Sequence, residues 1–96
     1  MRKLRLSRDA DRDIEKIFDY GVERFGEAVA GKYRDGIKAA FTSLLAFPFS
    51  GRARGDIRQG VRSRAYESHI VFYTVDDASV LIIRVLHVRM RAETWL

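Results

Sequence analysis

The residue types that could carry chemistry crowd into one short stretch. Tyr66, His69 and Tyr73 could each move a proton, and Arg62, Arg64 and, further on, Arg84 could hold a phosphate. A metal-independent ribonuclease is built from such parts: guanidinium groups stabilise developing phosphate charge while a His or Tyr serves as acid or base. The plainer reading is a contact surface, because tyrosine and arginine are enriched where proteins bind each other. Direct DNA binding is a third reading, since basic and aromatic residues interleave. It has no helix-turn-helix, zinc-ligand or Walker-type signature behind it. With two histidines and no cysteine a metal site is not expected, and neither is any other cofactor.

These groups must be positioned by a sheet, and its organising strand runs from Val80 to Val88 within the longer stretch Val80–Arg91. That strand is apolar on both faces, as a central, covered strand is. Arg84 breaks one face and His87 the other, so Arg84 is expected where the sheet meets solvent or a partner, since an unpaired buried charge is costly. Two further strands, Val61–Glu67 and His69–Val75, precede it, separated by Glu67-Ser68 and by Asp76–Ser79. Upstream, Lys3–Leu6 alternates polar and apolar like an edge strand. Ser7 is a helix N-cap, followed by Asp9 and Asp11 in the first turn. Ala10, Ile14, Ile17, Phe18, Gly21, Val22 and Phe25 form one apolar stripe. A second helix spans Glu27–Ala46 with Val29, Tyr33, Ile37, Ala40, Phe41, Leu44 and Leu45 on its stripe, and the short Phe25-Gly26 joint makes the pair an antiparallel hairpin. Gly31 and Gly36 would allow the helices to approach closely. The only proline, in Phe47-Pro48-Phe49-Ser50-Gly51, opens a basic, loop-like segment to Gly60.

The expectation is therefore one α+β domain over residues 1–96: an N-terminal edge strand and a helical hairpin packed on one face of a small antiparallel sheet, in the order β-α-α-β-β-β. A chain of 96 residues buries roughly 60–65% of its unfolded surface, an adequate but thin core. The net charge is +5 and uneven: arginines 52, 54, 58, 62 and 64 face only Asp56 across that stretch, which implies an acidic partner. No apolar run is long enough to span a membrane, and the start lacks a signal peptide's apolar region, so the cytoplasm is the expected location.

If the first meander turn has two residues, Tyr66 pairs with His69, Arg64 with Val71 and Arg62 with Tyr73. An even second turn pairs Val75 with Val80, Tyr73 with Ile82 and Val71 with Arg84. One face then carries Val61, Ser63, Ala65, Ile70, Phe72, Leu81, Ile83 and Val85, ending at His87, and is expected under the helices. The other carries Arg62, Arg64, Tyr66, His69, Val71, Tyr73, Ile82, Arg84 and Leu86, and is expected to be the exposed working face.

The order of elements, with Phe25-Gly26 between the helices, Phe47-Pro48-Phe49-Ser50-Gly51-Arg52, Gly60-Val61-Arg62-Ser63, His69-Ile70-Val71-Phe72-Tyr73 and Arg84-Val85-Leu86-His87-Val88-Arg89-Met90, resembles the ParE branch of the RelE/ParE toxin superfamily. The resemblance covers essentially the whole chain. It implies a type II toxin without catalytic chemistry, which inhibits DNA gyrase and is neutralised in a hetero-oligomer with a ParD-like antitoxin; contact with DNA would come only through partners. It also implies target contact through Arg62, Arg64, Tyr73, Arg84, His87, Arg89, Arg91 and Trp95, and antitoxin contact through Tyr33, Ile37, Val71, Ile82 and Leu86. Val88 and Arg91 stand where the family pattern has a small residue and an acid. The RelE branch, which cleaves mRNA on the ribosome, is the enzymatic alternative. It fits less well, because the lysines 3, 16, 32 and 38 all lie in the first half and the chain ends Thr94-Trp95-Leu96.

Overall fold

A computed structural model describes residues 1–96. In chain order the elements are β1 (Lys3–Leu6), α1 (Arg8–Phe25), α2 (Glu27–Ala46), β2 (Arg52–Ala53), β3 (Arg62–Tyr66), β4 (His69–Val75), β5 (Ser79–His87) and α3 (Ala92–Trp95). Ser7 caps α1 by accepting from the Ala10 amide, and Gly26, at φ +89°, makes the joint between the helices. That positive φ is one a side chain resists, so the hairpin turns there. Close approach of the two helices occurs at Gly21, where an added Cβ would lie 3.1 Å from that of Ala30. It does not involve Gly31 or Gly36, because Gly36 instead leaves room for the Tyr66 hydroxyl arriving from β3.

The five strands form one sheet in the order β1-β5-β4-β3-β2. It is mixed, not antiparallel throughout: β1 runs parallel to β5, with Lys3 opposite Ser79 and Leu6 opposite Ile82. The short β2, in the segment expected to be loop, explains this. It adds a reversal before the meander, so six reversals separate β1 from β5 and an even number leaves them pointing the same way.

The β3–β4 register is as expected, from Arg62 opposite Tyr73 to Tyr66 opposite His69. The β4–β5 register holds from Val75–Val80 to Tyr73–Ile82 and then shifts: Phe72 pairs with Arg84, Val71 with Val85, Ile70 with Leu86 and His69 with His87. Ile83 is the extra residue, and a bulge of one residue exchanges the faces beyond it.

For β3, β4 and the first part of β5 the faces are the reverse of the expectation, whereas beyond the bulge Val85 and His87 lie on the helix-covered side, as expected. The helices cover Val71, Tyr73, Val80, Ile82 and Val85, packing them against Ala10, Ile14, Ile37, Phe41 and Leu44. Parity sorted the β3 and β4 side chains correctly into two sets, but it does not say which set a helix covers. Tyr73 can be fully buried because its hydroxyl donates to the Pro48 carbonyl and accepts from the Gly51 amide. The opposite face is also covered: Val61, Phe72, Leu86 and Ala92 form a second cluster, flanked by Ile57, Ile70, Ile83 and Leu96. So β5 is a central strand apolar on both sides, with no open working face.

Beyond Leu6 the edge of β5 loses its β1 partner, and α1 takes over. Ser7 Oγ donates to the Ile83 carbonyl, and the buried Asp13 carboxylate accepts from the Val85 amide at 2.9 Å. The same carboxylate takes Arg84 Nε and Nη2, both at 2.8 Å. Arg84 thus has its partner within the chain. Removing one member of a buried pair costs about 3–5 kcal/mol because the other is left uncompensated. Asp13→Ala is therefore expected to lower unfolding stability by about 3 kcal/mol or more. In an equilibrium denaturation double-mutant cycle, Arg84→Met in the same chain should recover part of that loss.

Candidate functional site

The expected site residues divide by burial. Tyr73, Ile37, Val71 and Ile82 are at 0% exposure and Leu86 at 1%, so none can offer a contact surface; they are core, because α2 turns Ile37 onto the sheet face that holds Tyr73, Val71 and Ile82, and α3 covers Leu86. Arg84 is bound to Asp13, and its Nη1 also donates to the Trp95 carbonyl. Arg62 donates to the carbonyls of Phe49 and Gly51, and Arg64 to Ser43 Oγ. At the C-terminal end Arg89, Arg91 and Trp95 are exposed, Arg91 pairing with Glu93.

Tyr33 and His87 meet elsewhere, at the far end of the sheet. The bulge brings His87 onto the helix-covered side opposite His69, with ring centroids 5.3 Å apart and edge to face. Tyr33 on α2 sits 2.7 Å from His69 Nδ1 through its hydroxyl, which also accepts from the Ser68 amide at 3.2 Å. The hydroxyl and Nδ1 thus share one hydrogen bond, whose donor is set by the His69 tautomer. His87 Nδ1 in turn accepts from the Arg89 amide. Burial pushes His69 down to a pKa of about 4, the neighbouring His87 imidazole adds to this, and Asp13 opposes it. Burial also raises the phenol of Tyr33 above its ordinary value.

These residues form one wall of an apolar groove of about 590 Å³ whose other wall is the hairpin, with Ile17, Tyr20, Phe25 and Val29. Tyr20, Phe25 and Val29 are 54–63% exposed, a cluster large enough to mark a binding surface. Phe25 and Val29 lie on the sequence stripes but at the hairpin joint, past the end of the sheet that would cover them. The signal was their crowding around Gly26, not their period.

Strand, helical hairpin and meander, with both sheet faces covered, define the class: the fold is that of the small RelE/ParE-type toxins. It superimposes with a TM-score of 0.82 on a chain of the chromosomal ParDE TA system from P. aeruginosa, at 25% identity over 93% of this chain and 98% of that one. YafQ from E. coli shares the fold at a TM-score of 0.57 and 15% identity, also in its complex with DinJ. The chain belongs to the ParE toxin family of type II toxin–antitoxin systems, whose description matches residues 4–92. It is 38% identical to Toxin ParE1 of Caulobacter vibrioides over 96 residues, all of this chain and 99% of that one. It is 36% identical to Toxin ParE1 of Mycobacterium tuberculosis over 86 residues, 88% of each chain. No helix is long and apolar enough to cross a membrane.

His69 gives a pH dependence with a definite sign. Its folded pKa lies below the ordinary imidazole value of 6.5, so the unfolded chain binds the proton more readily. Stability is full above pH about 6.5 and is lost as pH falls from there to about 4. Thermal melts across that window should show Tm falling with pH, and His69→Gln should flatten the part due to this ring.

Proposed function

We propose that this chain is a toxin that acts by binding DNA gyrase, not by catalysis, and that a ParD-like antitoxin neutralises it. Membership of the ParE family supports the toxin reading, and the ParDE relative supports a partner of the ParD kind. One observation carries the non-enzymatic part: the groups suited to phosphodiester chemistry are already engaged inside the fold. Asp13 holds Arg84, Tyr73 is buried, the Nδ1 lone pair of His87 is already accepting, and His69 Nδ1 is bonded to the Tyr33 hydroxyl. A general base needs a free lone pair aimed at the proton it removes. Target contact then falls to the expected residues that remain accessible: Arg62, Arg64, Arg89, Arg91 and Trp95.

The antitoxin is assigned to the apolar groove. Of the residues the sequence offered for it, only Tyr33 lines that groove. An amphipathic segment laid there would cover Tyr20, Phe25 and Val29, in the manner of a helix entering a groove.

Purified chain added to gyrase and relaxed plasmid should block supercoiling and accumulate linear DNA. No effect on gyrase, together with mRNA cleavage in a translation extract, would replace this reading with the RelE-like one. Placing charge in the groove by Val29→Glu should weaken antitoxin binding by about ten-fold or more, measured by calorimetry, while gyrase inhibition persists.

A further inference from the structure

The groove lies at the start of α2; a second exposed apolar feature lies at its end. Phe47 and Phe49, in the turn that follows Ala46, are 67% and 58% exposed. Their backbone is not loose. The Phe47 amide donates to the Ser43 carbonyl, and Ser50 Oγ donates to the Phe47 carbonyl. The turn between them is tied to the core through Tyr73, which binds Pro48 and Gly51. A Cβ on Gly51 would overlap the Tyr73 hydroxyl, so this seat fits glycine alone. The two rings are thus held out on a rigid base.

Guanidinium groups surround them. Arg62 lies over the Phe49 ring at 5.2 Å and Arg2 at 5.5 Å, while Arg64, two residues from Arg62 on the same strand face, reaches Ser43 on α2. Their polar contacts are to neutral oxygens: Arg2 to the Asp76 carbonyl, Arg62 to the carbonyls of Phe49 and Gly51, Arg64 to a hydroxyl. The chain's ion pairs use Arg34, Arg54, Arg84 and Arg91 instead. Two cations without carboxylates therefore lie over the Phe49 ring, and a third, Arg64, stands beside Arg62 on β3. Aromatic anchors with arginines are the composition of interface hot spots.

We propose that Phe47 and Phe49, framed by Arg2, Arg62 and Arg64, are the anchor of the target-binding surface, and that they seat an acidic segment of the target carrying a bulky apolar side chain. This rests on the toxin reading above and adds the chemistry of the contact. Carboxylates on the partner would supply what the three arginines lack, and the apolar side chain would cover the rings. The antitoxin is not the occupant assigned here, because the groove reaches no further along α2 than Tyr33, which leaves the tip roughly 20 Å beyond its end.

The test uses the whole chain, purified gyrase and the antitoxin. Phe47→Ser/Phe49→Ser should weaken inhibition of supercoiling by about ten-fold or more, with antitoxin affinity and thermal stability unchanged. Arg64→Gln, which leaves the turn intact, should weaken it less and reduce its salt sensitivity. Undiminished inhibition by the double variant overturns this proposal alone, whereas a wild-type chain without effect on gyrase overturns the parent reading and this one together. Loss of antitoxin binding in the double variant, or a change in its sedimentation showing that the tip joined two copies of the chain, also overturns it.

Discussion

The fold hangs on one carboxylate. Asp13 sits where β1 has run out and β5 continues, and it closes the open edge by accepting from a strand amide and from two N–H groups along one edge of a guanidinium. A sheet edge left bare exposes unpaired donors and acceptors, and here a helix side chain replaces the missing strand. The same contact fixes the height of α1 against the sheet, and through the hairpin it fixes where Tyr20, Phe25 and Val29 stand. The groove is therefore a consequence of where Asp13 docks. Asp13 also keeps Arg84 off the solvent, which is why an arginine in a central strand does not make a phosphate site.

The second determinant is the bulge at Ile83. Without it the helix-covered set of β5 would continue to Arg84 and Leu86, placing a guanidinium under the helices. With it, Val85 enters the core and His87 turns toward His69 and Tyr33. One additional residue therefore puts an aliphatic side chain where packing needs it and assembles the imidazole pair of the groove wall.

β1, the two long helices and the three meander strands were legible because each has a local cause: Ser7 at a cap, Gly26 at a positive φ, a two-residue turn at Glu67-Ser68; the short β2 and α3 were not. The β3–β4 register followed from that turn. What was not legible depended on the third dimension. Alternation separates two faces but does not name the one under the helices, and arginines 62 and 64 with two tyrosines looked wetter than the other set. In the fold Tyr66 fits over Gly36, and Tyr73 satisfies its hydroxyl from the Pro48 turn. The polar ends of both rings are thus matched by features distant in sequence. The bulge left no mark, since every residue around Ile83 suits a strand. Nothing in the sequence sets Asp13 apart from the other acids of α1.

The pairing of β1 with β5 also bears on when the protein can come into being. Lys3 waits for Ser79, and Asp13 waits for Arg84 and Val85, so the first strand and the buried carboxylate find their partners only in the last fifth of the chain. Contacts this distant in sequence form late. A nascent chain still emerging from the ribosome has the hairpin but not the sheet that orders it. A chain assembled in this way cannot complete its sheet until its translation is nearly finished.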